Sequence, residues 1–326
     1  MMKLLIYCLS GLVCSQSFAK YVTRDGCVTN EIDGIVYTCQ TNSNGAFVCR
    51  VELAKSASSI EGRNVFIPQT IEGRKVRGIE KKAFSSLPWL RSVTMRGLIG
   101  IKDEAFANCS NLVAVTIERD GNLIGLRGIG CFAFRNCVSL ADVSLTNAFS
   151  RMMIGRGAFE GCKSLKRMQL PSGCYLLDVF AFAGCENLLE VGLPAAMEEV
   201  YGAAFVGCGR LREIKTAPGG NYVFENGILY DKAKKKVIRC LSGNKNESIR
   251  IEEGVTDILD NAFSGCKHLR CISLPTSLRR IEDFAFYGSG LKEVVLPKGL
   301  ECVGVGAFAR TEVELEDRWK YAKEDL

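Results

Sequence analysis

Histidine is almost missing from this chain: His268 is the single one in 326 residues. A Ser–His–Asp or Cys–His arrangement would have to run through it, and a metal site built from several histidines is excluded. No charge of one sign dominates. The excess of 42 Lys and Arg over 36 Asp and Glu is +6, too dilute to suggest a nucleic-acid partner. No Cys-x-x-Cys pair occurs among the 16 cysteines, so their spacing is not that of a metal site. Beyond the first residues no apolar run reaches spanning length, so no transmembrane anchor is expected in the mature chain. With 47% hydrophobic and 24% charged residues, the chain is apolar enough for a sizeable core and too apolar for disorder.

The N-terminus has the three-part layout of a secretory signal: Lys3, an apolar stretch over residues 4–13, then Ser17-Phe18-Ala19 before a cut. Cleavage after Ala19 is expected, leaving an exported protein.

A repeat accounts for most of the mature chain. The dipeptide Ala-Phe recurs with Phe at 84, 106, 134, 159, 182, 205, 263, 286 and 308, at intervals of 22, 28, 25, 23, 23, 58, 23 and 22 residues. Cys stands three after Phe at 109, 137, 162, 185, 208 and 266, and Leu six after, from Leu90 to Leu269. Nine and eleven after come apolar pairs such as Val115/Ile117 and Val191/Leu193, often followed by Pro. Five before each Phe is another aliphatic residue, as at Ile101 and Ile281. A period in the twenties means a solenoid whose turns share one core. The apolar-x-apolar pair has strand period, with both side chains inward, so one short parallel strand per turn is expected. Ala-Phe-x-x-Cys-x-x-Leu has helix-like spacing, which predicts a short helix or 3₁₀ turn with a column of stacked rings.

The unit Ile-x-x-x-Ala-Phe-x-x-Cys-x-x-Leu-x-x-Val-x-Leu-Pro, shown in full over residues 177–194, resembles the BspA-type leucine-rich repeat. The resemblance covers roughly residues 65–311. It implies an α/β repeat solenoid, a right-handed superhelix, on a secreted or cell-surface protein that binds proteins or matrix.

Residues 20–64 lack the repeat and read as an N-terminal β-hairpin cap, formed by residues 35–41 and 46–51. With Ser43-Asn44-Gly45 as its loop, Asn42 pairs with Ala46 and Cys39 faces Cys49, a candidate disulfide in an oxidising compartment. Repeats are expected over 65–218 and 249–311. Between them, residues 219–248 read as an insertion of three short strands, at 222–224, 227–230 and 236–239, joined by tight turns; the resemblance implies that it is a β-hairpin projecting from the solenoid edge. Residues 312–326 form a C-terminal cap.

The chemistry candidates yield to structural readings. The repeat cysteines point in parallel from turn to turn and are expected to be buried thiols, without metal or other cofactor. His268 sits where other turns carry Asn111, Ser139, Ser164 and Asn187, so a solvent-facing place is expected. The carboxylate pairs Asp257/Asp260 and Glu282/Asp283 fall on exposed positions, and nothing sets them across a cleft. Catalytic residues are therefore not assigned. What remains is the outward face of the sheet, where candidate binding residues are Thr116, Asp142, Arg167, Gln169, Glu190, Glu213, Lys215, Arg250 and Glu293. The expected function is an exported, non-enzymatic protein-binding or adhesion module, with a protein, matrix or cell-envelope ligand. A polysaccharide-active enzyme on a solenoid scaffold and a purely structural surface protein are the alternatives. Lys232, Lys234, Lys235 and Lys236 in the insert are a second candidate surface, read first as a solvated turn.

Overall fold

The computed structural model describes residues 22–24, 27–32, 35–41, 47–53, 63–67, 69–71, 74–118, 125–145 and 151–324, with the strands before residue 54 described by backbone and pairing alone. The signal-peptide segment 1–19 and the loop at 43–45 lie outside the described residues.

The apolar pairs form the front of a parallel-strand solenoid. Arg63–Ile67, Leu90–Arg96, Ala114–Glu118 and Asp142–Leu145 make one sheet. Arg167–Gln169, Glu190–Leu193 and Glu213–Thr216 make a second, and Ser248–Arg250, Cys271–Ser273 and Glu293–Val294 a third. Register joins equivalent repeat positions: Val115 lies between Val93 and Val143. Period two therefore buries Val93 and Met95 and turns Thr94 outward. The aliphatic residue before each Phe builds a back ladder of very short strands, from Gly78–Ile79 through Glu199–Val200.

Of the corners that carry Ala-Phe, Gly202–Phe205 is the expected 3₁₀ turn, and the others are not helical. In those, the residues two before and two after the Phe take positive φ, as Glu104 (55°) and Asn108 (63°) do around Phe106. Left-handed residues alternating with right-handed ones turn every second N–H away from the local chain. Glu104, Phe106 and Asn108 accordingly donate to the carbonyls of Cys131, Ala133 and Arg135 in the next turn, at 2.9, 2.7 and 2.7 Å. The corners thus form a third ladder, whose inter-turn bonds all run forward along the chain. This conformation is why the position two after Phe is so often Gly or Asn, including Asn136, Gly161, Gly184, Gly265 and Gly288. Among the described residues, only Gly202–Phe205 and Asp317–Lys323 are 3₁₀ helices.

Inside the corners the phenylalanines stack face to face. Centroids from Phe84 to Phe205 are 4.8 to 6.1 Å apart, and those from Phe263 to Phe308 are 4.9 and 5.0 Å. The buried cysteines have a specific role there. The thiols of Cys109, Cys137, Cys162, Cys185 and Cys208 donate to the carbonyl of the Phe one turn earlier at 2.9 to 3.2 Å. A cysteine fits because it is a small apolar side chain that also satisfies a buried acceptor.

Both ends are covered. Before the repeats, Val22–Arg24, Cys27–Ile32, Ile35–Thr41 and Phe47–Leu53 form an antiparallel meander. Its last strand runs parallel to Gly78–Ile79, so the cap extends the back ladder edge to edge. The expected register holds: Cys39 is paired with Cys49 and Gln40 with Val48. The side chains of both cysteines lie outside the described residues. At the other end, Trp319 and Ala322 bury against the last turn, and the Phe308 N–H donates to the Ala322 carbonyl at 2.8 Å.

The insert is where the structure departs most from expectation. The three expected strands form, with Tyr222–Glu225 and Ile228–Asp231 as the hairpin, but the third, Lys236–Cys240, pairs antiparallel with the second and also parallel with Asp257–Ile258. Val237 through Leu241 are buried, with Ile238 and Leu241 in the first core cluster and Val237 and Cys240 in the second. The segment is therefore a turn of the stack, not an appendage at its edge. Its apolar strand is what draws it inward.

Candidate binding face and the insert

Strand alternation fixes the outward side chains of the front. In the middle sheet the register sets Arg167, Glu190 and Glu213 in one row and Gln169, Gly192 and Lys215 in the next. This brings five of the predicted residues onto one platform, over Met168, Val191 and Ile214 in the core. Lys215 Nζ meets Glu190 Oε1 at 2.6 Å. That hydrogen bond raises the Lys215 ammonium and, with further help from Arg167 and Arg212 at the carboxylate alone, holds the Glu190 carboxyl below its usual range. Gln169 lies across Gly192, where a Cβ would meet its amide oxygen at 2.0 Å. The other predicted residues stand apart. Thr116 and Asp142 are on the preceding sheet, in rows with Ser144 and Ala114. Arg250 and Glu293 are on the following one, in rows with Ser273 and Cys271.

Two grooves flank the insert. One, of about 440 Å³, lies among Glu225, Tyr230, Lys234, Lys235, Arg250 and Glu253. In it Lys234 is bonded to Glu225, so part of the lysine run is neutralised. The other, of about 520 Å³, lies among Glu199, Tyr201, Tyr222, Lys232, Asp260 and Glu282. Desolvation first, then each neighbouring carboxylate, raises the carboxyls of Asp260 and Glu282. The Asp260 carboxylate also accepts the Asp283 N–H at 3.1 Å. Asp257 corrects the expectation of an exposed position: it is 5% exposed and bound to Arg280 Nε at 2.5 Å, a structural ion pair instead of a solvated carboxylate. His268 is exposed, as expected. Among the described residues no three His, Cys, Asp or Glu side chains group so as to hold a metal ion. No described helix is long and apolar enough to cross a membrane.

Two residues of the insert are not singled out by the sequence. Arg239 is fully buried and Cys240 stands at a spine position. The available signal was arithmetic: Cys240 precedes Phe263 by 263 − 240 = 23 residues, one repeat period, although the Ala-Phe signature is absent there.

The same fold occurs in solved structures. A leucine rich cell surface protein from Faecalibacterium prausnitzii is similar at 18% identity and TM-score 0.56, over 94% of this chain and 98% of that one. A leucine-rich repeat protein from Eubacterium ventriosum is similar at 18% identity and TM-score 0.61, over 86% and 70%. The pneumococcal vaccine antigen PcpA is similar at 19% identity and TM-score 0.57, over 90% and 80%. No curated protein matches the sequence. The family model for the BspA-type leucine-rich repeat region matches in six copies over residues 63–127, 121–234 and 236–317, and the chain therefore belongs to that family.

Proposed function

We propose that the protein is an exported, non-enzymatic module that binds a protein, matrix or cell-envelope ligand with its front sheet face. The observation that carries this reading is the middle sheet. There Arg167, Gln169, Glu190, Glu213 and Lys215 share one rigid platform whose inward residues are wholly apolar. Opposite charges set in fixed rows give a partner both orientation and selectivity. Export is supported by the pattern of residues 1–19. A surface location is supported by the family and by the cell-surface description of the F. prausnitzii protein.

The test is a pull-down of host and cell-envelope proteins with the mature chain, compared with two variants whose folding is checked by circular dichroism. Arg167→Glu with Lys215→Glu is expected to lose the partner, since interface energy concentrates in few residues and Arg is prominent among them. Replacing Lys232, Lys234 and Lys235 by Gln is expected to keep it. The opposite pattern would move the site to the insert.

One observation favours a polysaccharide-active enzyme as second reading. Asp260 and Glu282 line the larger groove with raised carboxyls, a condition for a general acid. They sit on adjacent turns of one wall, and Asp260 is engaged with the Asp283 N–H. Release of reducing sugar from a polysaccharide panel, lost in Asp260→Asn, would establish that reading.

A further inference from the structure

We propose that Cys240 and Cys266 are a buried dithiol that closes to a disulfide by exchange with an oxidised thiol, with the Arg239 guanidinium stabilising the thiolate that attacks. Three observations meet at this point of the fold.

Cys240 occupies the place of a spine phenylalanine. Its N–H donates to the Ala262 carbonyl at 2.6 Å, as the N–H of Phe182 does to Ala204 at 2.9 Å and that of Phe263 to Ala285 at 2.6 Å. The Phe205 and Phe263 stacks are separated here.

The Cys266 thiol lies against the Cys240 carbonyl at 3.6 Å, in the manner of the other repeat cysteines and their phenylalanines. Where the other turns hold a ring, this one holds a second cysteine, in contact with Cys266 through its main chain. The other repeat cysteines come from one column and run parallel. These two come from different columns on adjacent turns, so their side chains do not run parallel by repetition, and the Cys266 sulfur lies against Cys240.

Arg239 is 0% exposed, yet its partners are all neutral: the carbonyls of Asn261 and Ser264, the latter at 3.0 Å, and Ser242 Oγ at 3.3 Å. Its Nε has no partner. A buried cation without an anion is strongly unfavourable, and a thiolate is the anion within reach. The hydrogen bond from Cys240, with the Arg239 charge, lowers the Cys266 thiol despite its burial.

The Cys266 thiolate attacks one sulfur of an exchange partner, a small oxidised thiol or the disulfide of an oxidoreductase, and expels a thiolate that takes up a proton. Cys240 then loses its proton and attacks the Cys266 sulfur, expelling the second thiol. The protein gains one disulfide and the partner is reduced to two thiols. Because the pair is buried, exchange takes place when the folded turn opens locally, with Arg239 still beside Cys240 in the chain. The product ties that turn covalently to the second half of the solenoid.

The full chain is equilibrated with oxidised glutathione while folding, blocked with N-ethylmaleimide in denaturant and peptide-mapped without reduction. A Cys240–Cys266 link is expected, with Cys137, Cys162, Cys185 and Cys208 blocked as thiols. Cys240→Ser and Cys266→Ser should each abolish the link without creating another. Arg239→Gln should slow its formation about tenfold, through the smaller thiolate fraction, while Arg239→Lys should not. Blocked thiols at both positions of the wild-type chain, or a link from either to Cys208, would overturn the proposal regardless of how the variants fold.

Discussion

Replacing Phe182 by Ala removes the ring between Phe159, 5.4 Å away, and Phe205, 6.1 Å away. The side chain is fully buried. Truncation of such a residue costs ~3–5 kcal/mol through lost transfer energy and the cavity left behind. Phe308 provides an internal comparison, because its stacking partner is Phe286 alone, at 5.0 Å. A ring pair contributes about 0.5–1.5 kcal/mol beyond area, so Phe182→Ala should exceed Phe308→Ala by roughly 1 kcal/mol. The chain contains two tryptophans, and they report on different halves: Trp89 lies in the first core cluster and Trp319 in the second. Urea unfolding followed by fluorescence, in Trp89→Phe and Trp319→Phe backgrounds, reads each half separately. Since a turn touches only its neighbours, the Phe182 cavity should lower the Trp89 midpoint and leave the Trp319 midpoint nearly in place. Equal shifts in both halves, or none, would refute the division of the core at the insert.

Thiol reactivity should sort the cysteines by burial. Exposed Cys271 and Cys302 are expected to react within minutes at pH 8. Burial pushes the Cys109 thiol up to about 11, leaving about one molecule in a thousand as thiolate, so it should react only after denaturation. The same non-reducing map should link Cys39 to Cys49, whose backbones are paired; two free thiols there would refute the link. Gly202→Ala should destabilise by about 1–3 kcal/mol in thermal melts, because a Cβ would meet the backbone oxygens of Ile238 and Asp260 at 2.4 and 2.6 Å. Gly209→Ala, with nothing within 4 Å, should not, and equal melting temperatures would show that the insert is not packed there. Asp260→Asn should raise the melting temperature at pH 7 and leave it unchanged at pH 3. Its folded carboxyl is raised, so the charged form opposes folding above that pKa and the neutral form is already present in acid. A gain that persists at pH 3 would contradict this assignment.

The columns of the solenoid were legible because each answers to one physical demand that recurs every turn. Phe182 must stack, Cys185 must be small and offer a donor, and Val191 and Leu193 must point inward from a strand. The corner was misread because Phe, Cys and Leu at helical spacing bury equally well on a chain of alternating handedness. The discriminating residues were Asn136, Gly161 and Gly184, whose requirement is for positive φ and not for helix. The middle sheet was placed correctly, since Arg167, Glu190 and Lys215 follow from strand alternation alone. The insert was not. Its Ile238-Arg239-Cys240 run fills a spine position without the spine residue, and periodicity cannot report a side chain that breaks its own rule. Burial of an arginine with no carboxylate is a property of three-dimensional neighbours, invisible in composition.

The forward ladder of the corners has an electrostatic corollary. Peptide dipoles that all point one way add, as they do along an α-helix. With the N–H groups of each corner directed at the next turn, the solenoid carries partial positive charge at its C-terminal face and partial negative charge at its N-terminal face. The segment that covers the positive face, residues 312–324, is acidic on balance, with Glu312, Glu314, Glu316, Asp317 and Glu324 against Arg318, Lys320 and Lys323. It also supplies, through the Ala322 carbonyl, the acceptor that the last spine N–H would otherwise lack. A solenoid of this kind is thus a polar rod with unlike poles. Adding a turn would lengthen the rod without changing what either end requires.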